Sequence, residues 1–229
     1  MPLLLKNRRI GDVTVVTCSG RIVAGVEANT LLDHVKSLIP SQRDLILHLG
    51  DVNFIDSSGL GTMVRLLTSA RAARGDLKLC NMTPGVSKAF RLTSLHSVFD
   101  AHESESDAVS AFYRGVTAGC GEASAETRVL CVHPSADVLA YLRQVLQRAG
   151  YCPLTSCSVG DSLILLKAAR PALVIVDPSL SAVVSPRTSE AFRSSLAFVP
   201  VVELSSDFSG SEAGEAASQL LEQVRAKVA

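Results

Sequence analysis

Two serine hydroxyls and one carboxylate stand side by side where an apolar strand pattern gives way to a helix pattern. The residues are Asp56, Ser57 and Ser58. The strand pattern is Leu45-Ile46-Leu47-His48-Leu49, and the helical repeat that follows is Leu60, Met63, Val64 and Leu67. Backbone N–H groups at a helix start lack partners within the helix and lie at the positive end of its dipole. A phosphate on a serine there would find hydrogen-bond donors, so the segment predicts a charge switch rather than catalytic turnover.

The same residues also fit a simple helix cap. Asp and Ser are common N-cap residues, and Asp56 to Gly59 alone favour that interpretation. Two details favour a functional role. Gly59 and Gly61 fall in the first helical turn, where each Gly costs about 1 kcal/mol relative to Ala, which is tolerable if a partner or a nucleotide phosphate must approach the backbone. In addition, one acid and two hydroxyls are more than a cap requires.

The composition favours a folded protein that binds other proteins. The chain has 229 residues, of which 47% are hydrophobic, enough for one large domain or two small ones. Its 22 basic residues balance 22 acidic ones, which argues against nucleic-acid binding through bulk charge. No apolar stretch approaches the roughly 20 residues of a membrane span, and the first residues do not form a signal peptide. We therefore expect a soluble, cytoplasmic protein.

The six cysteines show neither C-x-x-C pairs nor the spacing of a disulfide scaffold, which fits a reducing cytoplasm. Cys18, Cys80 and Cys131 lie in strand-like apolar runs, where buried free thiols are common. Cys152 and Cys157 could in principle bind a metal, but they lack a nearby His or second Cys pair. We therefore expect no metal and no cofactor.

Alternating strand and helix patterns predict two α/β domains with helices covering the sheets. Residues 1–115 show strand, strand, helix, strand, helix, strand, helix and helix patterns, and the helix from Ser57 is expected to end near Arg74 with Gly75 as its C-cap. Residues 116–127, rich in Gly, Ala, Ser and Thr, predict a flexible linker. Residues 128–229 predict a doubly wound parallel sheet that stops one strand short of the usual five.

Three ordered segments of the first domain resemble the STAS domain of bacterial anti-sigma factor antagonists. They are Val13–Ile22, Asn53–Gly61 and Leu92–Asp100. The resemblance implies a mixed sheet with helices and a non-enzymatic phosphoprotein that regulates transcription. It also implies a phosphoacceptor, Ser57, and a docking surface that comprises Asp56, Ser58, Gly59 and Leu60, with Gly59 giving clearance.

The partner implied by this resemblance is a serine kinase of the histidine-kinase-like ATPase type that is itself the anti-sigma factor. It would bind unphosphorylated Ser57 and be released when phosphorylation adds about −1.5 to −2 charges beside Asp56. A serine phosphatase is a further expected partner. Two alternatives stay open: a structural scaffold whose assembly Ser57 tunes, and an enzyme or small-molecule sensor with a pocket beside Gly59-Leu60-Gly61. No nucleophile–base pair or Walker loop supports the last one.

Residues 128–229 resemble a degenerate response-regulator receiver domain, a truncated flavodoxin-like fold. Asp177 follows the apolar strand Leu173–Val176 at the position of the phosphoacceptor, and Ser205 matches the hydroxyl position of that family. However, His133-Pro134-Ser135 stands where the family places two acids that hold Mg²⁺, and the Lys-Pro pair of the family is missing. The resemblance therefore implies a pseudo-receiver with a vestigial Asp177, serving as an interaction or homo-oligomerisation module. Phosphorylation of Asp177 with help from Asp137 is the less favoured alternative.

Overall fold

The computed structural model of this protein describes residues 2–115, 127–182, 185–204 and 213–228. The chain divides into two units, Met1–Phe112 and Tyr113–Ala229, each considered by itself below. The division falls within one helix, Glu105–Gly115. Of the predicted linker, residues 116–126 lie outside the described residues, so the linker and the domain boundaries around it remain predictions.

The first unit is built on a five-stranded sheet whose strands follow sequence order. They are β1 (Leu4–Ile10), β2 (Val13–Ile22), β3 (Asp44–Ile55), β4 (Asp76–Cys80) and β5 (Ala101–His102). β1 and β2 form an antiparallel hairpin, whereas β2 to β5 run parallel, so the sheet is mixed as expected. The sequence pattern missed β5, because a strand of two residues is too short to show an alternation.

The helices of the first unit occur in the predicted order along the chain. They are α1 (Val26–Leu38), α2 (Ser57–Ala72), α3 (Pro84–Leu92) and α4 (Glu105–Gly115), and a short 3₁₀ turn spans Leu95–Ser97. α1 buries Ala28, Leu31 and Val35, which recur at helical spacing. Side chains from α1, α2 and α3 share one hydrophobic core with β2, β3 and β4. This shared core therefore holds the start of α2 against the carboxyl ends of the parallel strands.

The end of α2 differs from the prediction in which residue adopts the left-handed conformation. Arg74 has a φ of 60°, and its N–H bonds the carbonyl of Arg71 while the Gly75 N–H bonds that of Ala70. This is a Schellman motif with Arg74, not Gly75, at the left-handed position. Gly75 has a different role, since a Cβ there would lie 1.9 Å from the carbonyl oxygen of Arg43.

The second unit contains a four-stranded parallel sheet among its described residues. Its strands are β6 (Arg128–Val132), β7 (Cys152–Ser156), β8 (Leu173–Val176) and β9 (Val201–Glu203), in the order β7-β6-β8-β9. Its helices are α5 (Ala136–Arg148), α6 (Val159–Ala169), α7 (Pro186–Leu196) and α8 (Ala213–Val228), and a 3₁₀ turn spans Pro178–Ala182. The strand order is the flavodoxin-like order 2-1-3-4-5 without its last strand.

The core of the second unit explains its sequence pattern. All four residues of β8 are buried, as expected for a strand covered on both faces. α5 and α8 pack their apolar residues on one face of the sheet, with Leu142 and Val224 fully buried against Cys131 and Ile175. The predicted burial of Cys18, Cys80 and Cys131 is confirmed, and burial raises the pKa of each thiol to about 12.

Candidate functional site

Asp56 joins β3 to α2 and fixes the geometry of this corner. Its backbone is extended, and its carboxylate caps the helix by accepting the Gly59 N–H at 2.8 Å. The second carboxylate oxygen accepts the Ala24 N–H, at 2.9 Å, from the loop between β2 and α1. The N–H groups of Ala24 and Gly59, in that order, lower the pKa of Asp56 below its ordinary 3.8. Asp56 is therefore a charged clamp that ties two segments together.

Ser57 and Ser58 are the first two residues of α2, and both are exposed. Within the described part of the chain, neither hydroxyl makes a hydrogen bond. Ser57 shares the exposed helix face with Gly61 and Arg65, which lie one and two turns further along. A Cβ on Gly61 would meet nothing within 4 Å, so the space beside Ser57 is open.

Two residues that we expected on the docking surface face the interior instead. Leu60 is only 7% exposed and belongs to the core with Met63 and Leu67, so its assignment to the surface is wrong. Gly59 is buried, and a Cβ there would lie 2.3 Å from the carbonyl oxygen of Ile22. The absence of a side chain at Gly59 therefore makes room for β2 and not for a partner protein.

The expectation that a phosphate on this corner would find free donors also needs correction. The Gly59 N–H is already bonded to Asp56, and the Ser58 N–H contributes to lowering the pKa of the same carboxylate. A phosphate on Ser57 would compete with Asp56 for these donors and would be repelled by its charge. The negative charge of Asp56 therefore opposes the binding of a Ser57 phosphate to the N–H groups at the start of α2 and favours a phosphate that extends into solvent.

Two apolar side chains that the sequence analysis did not single out border this corner. Phe54, two residues before Asp56, is 53% exposed, and Val26, two residues after Ala24, is 77% exposed. Both flank the segments that Asp56 ties together. Phe54 pairs in register with Arg21, which is also exposed. Their exposure depends on where β2 and β3 end, so sequence alternation alone could not identify them.

In the second unit, the structure brings together two residues that the sequence analysis treated separately. Val132 and Val176 are neighbours in the paired strands β6 and β8, and His133 and Asp177 follow them. The His133 Nε2 atom lies 3.0 Å from Oδ2 of Asp177. His133 therefore lies in the loop between β6 and α5, where it accepts the Ser135 N–H and also contacts Asp177. The sequence feature that could have identified this pair is that each residue directly follows a buried strand.

The Mg²⁺ ion that a receiver domain would use does not fit this edge of the sheet. Hard divalent cations need several oxygen ligands, and here the neighbour of Asp177 is an imidazole followed by Pro134. Asp137 is exposed in the first turn of α5, and Ser205 lies outside the described residues. No cluster of three or more His, Cys, Asp or Glu suited to a metal ion occurs in the described part of the chain.

Comparisons with known proteins assign the first unit to a family. The STAS domain model matches residues 5–108. BtrV of Bordetella bronchiseptica, a candidate anti-sigma factor antagonist, is 26% identical over 102 residues, which cover 44% of this chain and 88% of BtrV.

Two solved structures are similar to parts of the chain. An anti-sigma factor antagonist from Mycobacterium paratuberculosis is 24% identical, with a TM-score of 0.44 over 48% of this chain and 92% of its own. The chemotaxis response regulator CheY4 of Vibrio cholerae is 23% identical, with a TM-score of 0.35 over 44% of this chain and 98% of its own.

No helix in the described part of the chain has both the length and the apolarity needed to span a membrane. The mixed sheet, the parallel strand leading into the Asp56 cap and the family match over residues 5–108 agree with one another. The N-terminal region of this chain is therefore a STAS domain of the kind found in anti-sigma factor antagonists.

Proposed function

We propose that this protein is a phosphorylation-controlled antagonist of an anti-sigma factor. In its unphosphorylated form, the first unit binds an anti-sigma factor that is also a serine kinase of the histidine-kinase-like ATPase type. Phosphorylation of Ser57 releases this partner, and a serine phosphatase restores binding. The observation that carries the proposal is the exposed Ser57 hydroxyl, held at the first position of α2 directly after the clamped carboxylate of Asp56.

The physical basis of release is the charge of the phosphoserine beside Asp56. Asp56 is ionised at neutral pH, as an ordinary aspartate is, and backbone N–H groups lower its pKa further. Phosphorylation of Ser57 adds about −1.5 to −2 charges next to this fixed negative charge. A partner surface shaped for a hydroxyl would then have to desolvate both groups together, which costs binding free energy. The affinity for the partner falls while the fold stays intact.

The docking surface that we propose differs from the one expected from the sequence. It comprises Ser57, Ser58 and the open backbone at Gly61, together with the exposed apolar side chains of Phe54 and Val26. Apolar anchors beside a polar switch residue are the usual arrangement of a specific protein interface. Asp56 belongs to this surface through its charge, although its two carboxylate oxygens are bonded within the protein.

The second unit is, in our proposal, a pseudo-receiver that binds another protein or a second copy of this chain. Its four-stranded parallel sheet, with helices on both faces, supports this proposal. Its contribution would be an interaction surface, which leaves the switch to Ser57.

The test compares three variants of the full chain as baits: Ser57→Ala, Ser57→Asp and, as a matched control, Ser58→Asp. A pull-down from the native cell identifies candidate ATPases, and isothermal titration with the purified ATPase then measures each affinity. We expect Ser57→Ala to bind, Ser57→Asp to lose at least roughly tenfold in affinity, and Ser58→Asp to lose less. Incubation of the unmodified protein with the ATPase and ATP should phosphorylate Ser57, as read by mass spectrometry.

Equal binding by Ser57→Ala and Ser57→Asp would contradict the proposal and leave Ser57 as a helix residue without a switching role. Light scattering on the unmodified protein addresses the scaffold alternative. A large, defined oligomer that dissociates in Ser57→Asp would indicate that Ser57 controls assembly rather than partner release.

A further inference from the structure

Both carboxylate oxygens of Asp177 are bonded by N–H groups of this chain. The Ser179 N–H donates to Oδ1 at 2.7 Å, and Nε2 of His133 lies 3.0 Å from Oδ2. The Asp177 side chain is 18% exposed and that of His133 is 12% exposed. Each oxygen of Asp177 therefore already has a hydrogen-bonding partner within the protein, and both side chains are largely shielded from solvent.

The backbone determines which nitrogen of His133 carries the proton. The Ser135 N–H lies 2.9 Å from Nδ1, and because an amide N–H can only donate, Nδ1 must be the acceptor. The neutral ring then carries its proton on Nε2, which faces Asp177. Neither ring nitrogen keeps a free lone pair, so His133 cannot serve as a metal ligand in this arrangement.

The two side chains are also held in place by the sheet. The His133 N–H donates to the carbonyl of Ser156 on β7, at 3.1 Å, and the Asp177 N–H donates to the carbonyl of Val132 on β6, also at 3.1 Å. The ladder hydrogen bonds thus extend one residue past the strand ends and include both partners. This position is the switch point of the sheet, between β6 and β8, where open α/β sheets commonly bind ligands.

We propose that His133 closes this switch point to divalent metal ions by placing an N–H donor beside Asp177, where a hard cation would need a second oxygen ligand. Its imidazole is bonded through both nitrogens and offers no lone pair to a metal, so the pair forms a hydrogen-bonded contact that needs no metal. The unit would therefore signal through a constant surface and not through a modified aspartate. This inference rests on the second unit alone and holds whether or not Ser57 is a switch.

The first test reads the histidine tautomer in the unmodified full chain. A ¹H–¹⁵N multiple-bond spectrum of the uniformly labelled protein resolves ring signals from its five histidines, and His133→Gln assigns the relevant one. We expect a protonated Nε2 and an unprotonated Nδ1 near neutral pH, and a shift of the Nε2 signal in Asp177→Ala. A proton on Nδ1, or an Nε2 signal unchanged in Asp177→Ala, would overturn the proposal.

The second test asks whether the imidazole is what excludes a metal. MnCl₂ is titrated into the full chain, and electron paramagnetic resonance measures the free Mn²⁺. His133→Asp places a second carboxylate beside Asp177, and affinity for hard cations rises with the number of charged ligands. His34→Asp, the same change on α1 of the first unit, is the matched control.

We expect the unmodified protein and His34→Asp to show no saturable binding, and His133→Asp to bind one Mn²⁺ per chain saturably. The double variant His133→Asp with Asp177→Ala should lose that site. Two results would refute the proposal. One is saturable binding by the unmodified protein that Asp177→Ala abolishes, and the other is a folded His133→Asp that binds no Mn²⁺.

Discussion

Two glycines in the first turn of α2 should respond in opposite ways to the same substitution. A Cβ on Gly59 would lie 2.3 Å from the carbonyl oxygen of Ile22 and 2.8 Å from Cγ1 of Ile55. A Cβ on Gly61 would meet nothing within 4 Å. Gly59→Ala therefore forces a collision with β2, whereas Gly61→Ala only removes the conformational freedom of a glycine in a helix.

The structure lets us estimate the size of this difference. Carbon and oxygen atoms normally approach to about 3.3 Å, so Gly59→Ala requires a displacement of about 1 Å. Ile22 cannot easily yield, because it pairs with Ile55 across the sheet and its carbonyl also accepts the Asp56 N–H at 3.2 Å. Overpacking of this kind costs about 3 kcal/mol, partly offset by about 1 kcal/mol of helix propensity. We therefore expect Gly59→Ala to destabilise by about 2 kcal/mol and Gly61→Ala to stabilise by about 1 kcal/mol.

Urea denaturation followed by far-ultraviolet circular dichroism measures both variants in the full chain. Hydrogen exchange of peptides from β2 and α2 identifies the transition of the first unit, since two units can unfold separately. A difference of about 3 kcal/mol corresponds to roughly 10 °C in Tm for a unit of this size. Free energies of unfolding that agree within about 0.5 kcal/mol would refute the close packing of Gly59 on Ile22.

Two further predictions concern the cap of α2 and a strained serine. Asp56→Ala should destabilise the first unit by about 1–2 kcal/mol, because it removes the cap and leaves the Ala24 N–H without its partner. The pKa of Asp56 in the folded protein lies below its ordinary 3.8, so the ionised carboxylate stabilises the fold above that pH. This stabilisation is lost as the pH falls through the folded pKa. The free energy of unfolding, measured by urea denaturation, should therefore change less at acid pH in Asp56→Ala than in the unmodified protein. Ser94 has a φ of 58°, in the left-handed region that glycine adopts more easily, so Ser94→Gly should stabilise the first unit by about 0.5–1 kcal/mol. Ser97 does not have a positive φ, so Ser97→Gly should not stabilise it. Thermal unfolding of both serine variants checks this contrast.

For the start of α2, the helical repeat in the sequence predicted burial better than the family resemblance did. The helical repeat of Leu60, Met63 and Leu67 already predicted one buried face for α2, and the structure buries all three. The resemblance nevertheless implied that Leu60 lies on the docking surface, because it follows the Ser57 segment. Periodicity was the better guide here, since it reflects burial directly. By contrast, the role of Gly59 depends on a contact with β2, which lies far away in the sequence.

The pair of His133 and Asp177 shows why the second unit was harder to predict. Each residue directly follows a buried parallel strand, and such ends meet at one edge of a sheet. The contact also requires β6 and β8 to be neighbours, although β7 separates them in the sequence. The order of strands follows from packing and the handedness of connections, and a residue pattern does not state it. The sequence showed that His133 stands where the receiver family has an acidic residue, but it did not show that His133 contacts Asp177.

Each unit places an aspartate directly after a parallel strand, but the two aspartates have different partners. Asp56 accepts two backbone N–H groups, whereas Asp177 accepts one and contacts His133 with its other oxygen. Asp56 uses both oxygens to tie down the start of a helix, so the adjacent Ser57 hydroxyl is left exposed and available to an enzyme. Asp177 uses one oxygen for its own loop and the other for His133, so neither oxygen lacks a partner within the second unit. In our two proposals, Ser57 is the site of covalent regulation in the first unit, and the second unit contributes a binding surface.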